Sequence, residues 1–182
     1  MVSPRVSVIL PVRDAGDTLT EAVGSILGQS EGDFELLAID DGSLDSSLGI
    51  LSELAQRDHR LRVLSTGGEG IVTALNLGLE QSQARYLARM DADDVSLPDR
   101  LKRQLDFLDS RPEVGLVSSR VEHWTPDGSS RLGYAAYVDW SNELLSDEDL
   151  RMRRFVESPF AHPAVVFRKS LVSRFGGYRE GS

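Results

Sequence analysis

The chain contains no cysteine, which excludes disulfides, thiolate nucleophiles and cysteine-bound zinc together. A reducing compartment is compatible with this absence without being required by it. No apolar run approaches the roughly 20 residues of a membrane span. Met1–Arg5 leads straight into a strand-like run, without the architecture of a signal or transit peptide. Basic charge is also scarce: 20 Lys and Arg stand against 29 Asp and Glu, a formal net charge of −9. A chain this acidic does not hold a nucleic-acid backbone by charge, so no nucleic-acid partner is expected. A phosphorylated ligand would need a local device that makes carboxylates an advantage, and a divalent cation is the usual one.

What is present is an alternation of short apolar runs and helical periods. The 182 residues suit a single domain. Val6–Leu10 reads as a buried strand. Leu19, Ala22, Val23, Ile26 and Leu27 fall on one helical face, and Thr18-Leu-Thr-Glu21 has the spacing of a capping box. Phe34–Ile39 is a second strand running into Asp40-Asp41-Gly42-Ser43. Asp45 then caps a helix whose apolar face is Leu48, Leu51, Leu54 and Ala55. Leu61–Leu64 is a third strand, followed by a turn at Gly67–Gly70 and a helix through Ile71, Leu75 and Leu79. Tyr86–Met90 is a fourth strand, ending in Asp91-Ala-Asp-Asp94. Pro98 is expected as the first residue of the next helix, with Leu101, Leu105 and Leu108 inward. This order means an α/β fold with a mainly parallel sheet. Beyond Val114 the pattern weakens to strands at Val114–Val117 and Ala164–Phe167, a hairpin turn at Asp127-Gly128 and a short helix over Leu171–Phe175.

Two acidic clusters lie at the carboxyl ends of expected parallel strands, the edge at which open α/β sheets bind ligands. Asp91 and Asp93 are two apart, so on extended backbone they point to one side. Two carboxylates so placed repel unless a cation joins them, and their hard oxygens suit Mg²⁺ or Mn²⁺. A carboxylate in the Asp40–Ser43 turn could accept from a base N–H or a ribose hydroxyl; Asp and Gly are also common in any strand-to-helix turn. Other chemistries lack their residues. Pro11–Gly16 is no G-x-G-x-x-G, and Gly67–Gly70 lacks the Lys-Ser/Thr of a phosphate loop. Counted from Asp91, the sixth and twelfth positions are Ser96 and Lys102, not the Gly and Glu of a calcium loop. Asp91–Val95 also resembles the D-x-D-x-[T/V] nucleophile motif of haloacid-dehalogenase-type phosphatases, in which Asp91 would attack phosphorus. That family carries its motif on the first strand, whereas here it follows the fourth.

Taken together, Val6–Asp14 (VSVILPVRD), Ala38–Asp45 (AIDDGSLD), Ala88–Arg100 (ARMDADDVSLPDR), Ala161–Lys169 (AHPAVVFRK) and Gly176–Tyr178 resemble glycosyltransferase family 2, whose members are inverting enzymes. The resemblance implies the GT-A fold, a Rossmann-like, mainly parallel sheet flanked by helices, with a smaller antiparallel or irregular acceptor-side region. It implies a single domain over 1–182 that is incomplete at its C-terminus. Residues 1–100 would be the nucleotide-sugar and metal half, and 101–182 the start of the acceptor half. The donor would be a nucleoside-diphospho-sugar, with UDP favoured, and the acceptor a carbohydrate or lipid-linked hydroxyl. Such an enzyme would serve cell-surface polysaccharide or glycolipid synthesis, in the cytoplasm or peripheral to the membrane. Pro11 and Asp41 would line the base and ribose pocket. Asp91, Asp93 and His162 would hold Mg²⁺ or Mn²⁺, with Asp93 the principal ligand. Asp94 would support them or face the acceptor, and Arg154, with Arg151 and Arg153, would reach a donor phosphate or an anionic acceptor. A solvated helix face is the plainer reading of those arginines. Trp124 and Trp140 suit a sugar face or packing, and His59 and His123 are expected at the surface. Arg13-Asp14 stands where the family usually has Tyr-Asn, and the family's general base is expected beyond Ser182. A donor-binding fragment without turnover is therefore an alternative.

Overall fold

The computed structural model describes residues 3–123, 132–153 and 155–180. The first half alternates strand and helix: β1 (Val6–Val12), α1 (Leu19–Leu27), β2 (Phe34–Asp40), α2 (Ser47–Arg57), β3 (Leu61–Ser65), α3 (Ile71–Gln81), β4 (Tyr86–Arg89) and α4 (Arg100–Ser110). The second half adds β5 (Leu116–Ser118), α5 (Leu132–Glu143), α6 (Asp147–Arg153), a 3-10 turn (His162–Ala164), β6 (Val165–Arg168) and α7 (Ser170–Phe175). All strands join one sheet in the order β3-β2-β1-β4-β6-β5. The first four are parallel, while β6 runs antiparallel to both β4 and β5.

Both faces of the central strands are covered, which is why they read as continuous apolar runs rather than alternating ones. Val6, Val8, Leu10 and Val12 pack with Leu19, Val23 and Ile26 of α1, Leu51 of α2, and Leu101, Leu105 and Leu108 of α4. Each of the three α4 leucines is fully buried, worth roughly 2 kcal/mol apiece. They hold an otherwise polar helix on the sheet. On the opposite face Ile9, Leu37, Ile39 and Leu87 meet Ala74, Leu75 and Leu79 of α3. From β1 the chain moves outward through β2 and β3, then returns past β1 to add β4. Strand order thus reverses between β1 and β4, and the crevice of this fold opens above their carboxyl ends.

Several local expectations give way to longer-range bonds. Thr18 stands before α1, but no capping box forms there; its hydroxyl donates to the Ala92 carbonyl at 2.8 Å instead. α4 begins at Arg100 rather than Pro98, because the Pro98 carbonyl accepts from Ser30 N–H and Gln29 Oε1 accepts from Leu101 N–H. Leu48 is exposed, and Ser47 turns inward to accept from Ala15 N–H at 2.9 Å. Helix α5 occupies a stretch in which no helix is legible, and α6 falls where the arginine group reads as a solvated helix face. His123 is half-buried against Tyr134, with ring centroids 5.1 Å apart, rather than at the surface. The expected turn at Asp127-Gly128 lies outside the described residues, as do Trp124 and Arg154. No helix among the described residues is long and apolar enough to cross a membrane.

Candidate functional site

A cleft of about 480 Å³ opens at the β1/β4 reversal, lined by Pro11, Arg13, Asp41, Gly70, Asp91 and Asp93 among others. Strand register makes this meeting. Val12 pairs with Asp40, Asp40 with Ser65 and Ile9 with Arg89, so the turns after β1, β2, β3 and β4 emerge side by side. The cleft thereby brings together Pro11, Asp41, Asp91 and Asp93. Asp94 and His162 stand beside it rather than in its lining.

Asp41 is buried and bonded on several sides. Its Oδ1 accepts from the Thr66 hydroxyl at 2.5 Å, both of its oxygens lie 3.0 Å from Gly70 N–H, and Arg13 Nη1 is 3.3 Å from Oδ2. Burial pushes its carboxyl up, but Thr66, Gly70 and Arg13 together hold it below the usual carboxylate range. An ionised carboxylate is thus fixed at the cleft wall. Asp14, in the left-handed region at φ 49, braces this corner. Its N–H donates to the Ser43 hydroxyl at 3.1 Å, and its Oδ1 accepts from Leu44 N–H at 2.7 Å.

The second cluster is three carboxylates within four residues. Asp91 is partly exposed, Asp93 exposed and Asp94 half-buried. Burial first, then the charges of Asp91 and Asp93, push the Asp94 carboxyl up to about 6. Oxygen donors crowded this closely fit a divalent cation. Among the described residues no three His, Cys, Asp or Glu side chains converge on one point. Two carboxylates with ligand phosphates and water is therefore the coordination this cleft can offer, which is how Mg²⁺-type ions are commonly bound.

His162 is bonded to an arginine at the end of β4. Arg89, buried at the end of β4, directs Nη1 to His162 Nδ1 at 2.8 Å and Nη2 to Asp91 Oδ1 at 3.1 Å. A guanidinium only donates, so His162 Nδ1 accepts and its proton sits on Nε2. Burial pushes the Tyr178 hydroxyl up, while the positive charge of this guanidinium draws it down. Neither Arg89 nor Tyr178 was assigned a role in the sequence reading, and Arg89 carried a signal. A charge inside a strand buried on both faces demands a partner.

A family model described as glycosyl transferase family 2 matches residues 7–176. The chain belongs to that family. Amylovoran biosynthesis glycosyltransferase AmsE of Erwinia amylovora is 30% identical over 92% of this chain and 60% of its own length. An Escherichia coli relative, UDP-Gal:alpha-D-GlcNAc-diphosphoundecaprenol beta-1,3-galactosyltransferase, is 30% identical over 97% of this chain and 62% of its own. An uncharacterized glycosyltransferase of Haemophilus influenzae is 28% identical over 97% of this chain and 54% of its own. The chain thus spans somewhat over half the length of these relatives. Among solved structures, the Pyrobaculum calidifontis mannosyltransferase PcManGT in complex with GDP-Man and Mn²⁺ superposes with a TM-score of 0.72. It is 23% identical, and the match covers 98% of this chain and 48% of that one. Staphylococcus aureus TarS 1–349 in complex with UDP-GlcNAc gives 0.72 at 20% identity, covering 93% of this chain and 47% of that one. The fold is that of these GT-A glycosyltransferases, as expected. The phosphatase alternative loses its ground, because the family match covers nearly the whole chain and the acidic motif follows β4 rather than the first strand.

The outlying candidates among the described residues lie away from the lining of this cleft. Arg151 pairs with Asp147 one turn away on α6, at 2.7 Å and exposed. Trp140 packs against Tyr137, with ring centroids 6.1 Å apart. His59 is exposed, as expected.

Proposed function

We propose that this chain forms the donor-binding part of a family 2 glycosyltransferase, which moves a sugar from a nucleoside-diphospho-sugar to an acceptor hydroxyl with inversion at the anomeric carbon. The observation that carries this reading is the convergence of Asp41 and the Asp91/Asp93 pair in one cleft at the strand-order reversal. Pro11 and Asp41 line the pocket for the base and ribose. Asp93 and the free oxygen of Asp91 hold Mg²⁺ or Mn²⁺ against the donor diphosphate. The metal's chemistry is charge neutralisation of the leaving nucleoside diphosphate. Asp94, behind the pair, sets its spacing. Residues 1–100 make up this donor half, and residues from 101 onward begin the acceptor side.

UDP is the favoured nucleotide, in line with the UDP-Gal in the name of the Escherichia coli relative and the UDP-GlcNAc bound to TarS. The diphosphoundecaprenol in that relative's name supports a lipid-linked or glycan acceptor for polysaccharide synthesis, and a cytoplasmic place at or near a membrane surface.

Calorimetric titration of UDP, GDP and dTDP, with and without Mn²⁺, tests this on the wild type and Asp93→Ala. We expect one diphosphate to bind only with Mn²⁺, and to bind at least tenfold more weakly in the variant. Binding that ignores both the metal and the substitution would refute the reading.

A further inference from the structure

The turn carrying His162 comes from the second half of the chain, yet it is fastened to the first half at three points. Arg100, half-buried, donates Nη1 to the Pro163 carbonyl at 2.9 Å and also bonds the Arg89 carbonyl at 3.3 Å. Gln104 Nε2 donates to the Ala164 carbonyl at 2.7 Å. The third fastening is Arg89 itself, through the imidazole. Its side chain is 6% exposed, while that of Asp91, its ion-pair partner, is 32% exposed at the cleft. The partner groups come from two places, Asp91 two residues on and His162 73 residues on, and Tyr178, beyond α7, feels the same positive charge. Asn76 grips the Tyr178 backbone on both sides, donating to its carbonyl at 3.0 Å and accepting from its N–H at 2.8 Å.

A buried cation bonded this way does two things that a hydrophobic residue could not. It occupies one oxygen of Asp91, leaving the other for a ligand. It also dictates the tautomer of His162, because a nitrogen facing a guanidinium can only accept. Resting on the donor-site reading above, we propose that Arg89 is a positioning residue of this site: it orients Asp91 and locks His162 as an Nε2–H donor toward the diphosphate oxygens, not as a metal ligand. Neutral N–H donors at phosphate oxygens add directional bonds where the cation supplies charge.

The decisive measurement is the long-range ¹H–¹⁵N spectrum of histidine-labelled protein at pH 8, without ligand, for the wild type, Arg89→Lys and Arg89→Met. The wild type is expected to show His162 as a single Nε2–H tautomer. Arg89→Met is expected to show a mixture, and Arg89→Lys, which keeps one donor, an intermediate population. Thermal melts of the same samples confirm that the variants are folded, and Arg89→Lys is the variant that carries the test if Arg89→Met fails to fold. Calorimetry then separates donor from ligand at His162. His162→Gln, which keeps an N–H in place of Nε2–H, is expected to retain Mn²⁺-dependent diphosphate binding within about threefold, and His162→Ala to lose about tenfold. An Nδ1–H tautomer in the wild type would overturn the proposal. So would loss of Mn²⁺ binding in His162→Gln equal to that in Asp93→Ala. A wild type that binds none of the diphosphates refutes the donor site and with it the diphosphate role of His162, while the ligand-free spectrum still decides the positioning role of Arg89.

Discussion

Single positions around the cleft are set by close backbone approach as much as by charge. Gly42 has φ +72, and a Cβ there would stand 2.9 Å from Gly68 N and 3.0 Å from Gly68 Cα. The obstacle is backbone, which cannot rotate away. Gly42→Ala must therefore push the turn after β2 off the Gly67–Gly70 turn, and with it Asp41 off Gly70 N–H. Left-handed strain and overpacking together predict a loss of about 2 kcal/mol in urea unfolding. Diphosphate affinity is expected to fall at least tenfold in the part that still folds; unchanged stability and affinity would show the two turns to be independent. Asp41, Asp91 and Asp93 were legible because acids at strand ends follow a local pattern. Arg89, Tyr178 and Gln29 were not, because their meaning lies in partners up to 102 residues away for which spacing carries no information.

At the scale of elements, the parallel half was readable because each central strand is buried on both faces. Its helices show the same clarity: Leu19, Ala22, Val23 and Ile26 are all buried on α1. The second half was obscure for the opposite physical reason. Among the described residues α6 buries none and α5 buries only Val138, so neither carries a clear apolar stripe to read. Helix α3 shows what close packing demands. Gly78 lies flat on the sheet, and a Cβ there would come within 2.5 Å of Ile9 Cγ2 and 3.1 Å of Ile39 Cδ1. Gly78→Ala gains about 1 kcal/mol of helix propensity and loses about 2 kcal/mol by overpacking two buried isoleucines. A net loss of about 1 kcal/mol is expected. A double-mutant cycle with Ile9→Ala identifies the cause: the second substitution makes room, so the pair should cost less than the sum. Strict additivity would place the strain elsewhere.

Over the whole molecule, stability rests partly on carboxylates that tie elements together at the edge remote from the cleft. Asp58 ends α2 and bonds Arg60 through Nε at 3.0 Å and Nη2 at 2.6 Å. Arg60 in turn reaches the Leu27 carbonyl at the end of α1, at 2.9 Å, and lies over the Phe34 ring at the start of β2, 4.5 Å from its centroid. One ion pair therefore joins three elements. Hydrogen bonding to Arg60 holds the Asp58 carboxyl down at about 2. A folded-state value below the unfolded one near 4 means that the stabilisation is complete above about pH 4 and is lost as pH falls toward 2. Solvent screening at this partly exposed site limits it to about 1 kcal/mol. Asp41 and Asp109 are held low in the same direction, so acid weakens several ties at once while the chain passes from net negative to strongly positive. Asp58→Asn is expected to be less stable than wild type by about 1 kcal/mol at pH 7, with the two curves converging near pH 2 in calorimetric melts. A gap that stays constant with pH would assign the effect to lost packing around Arg60 rather than to the ionised pair.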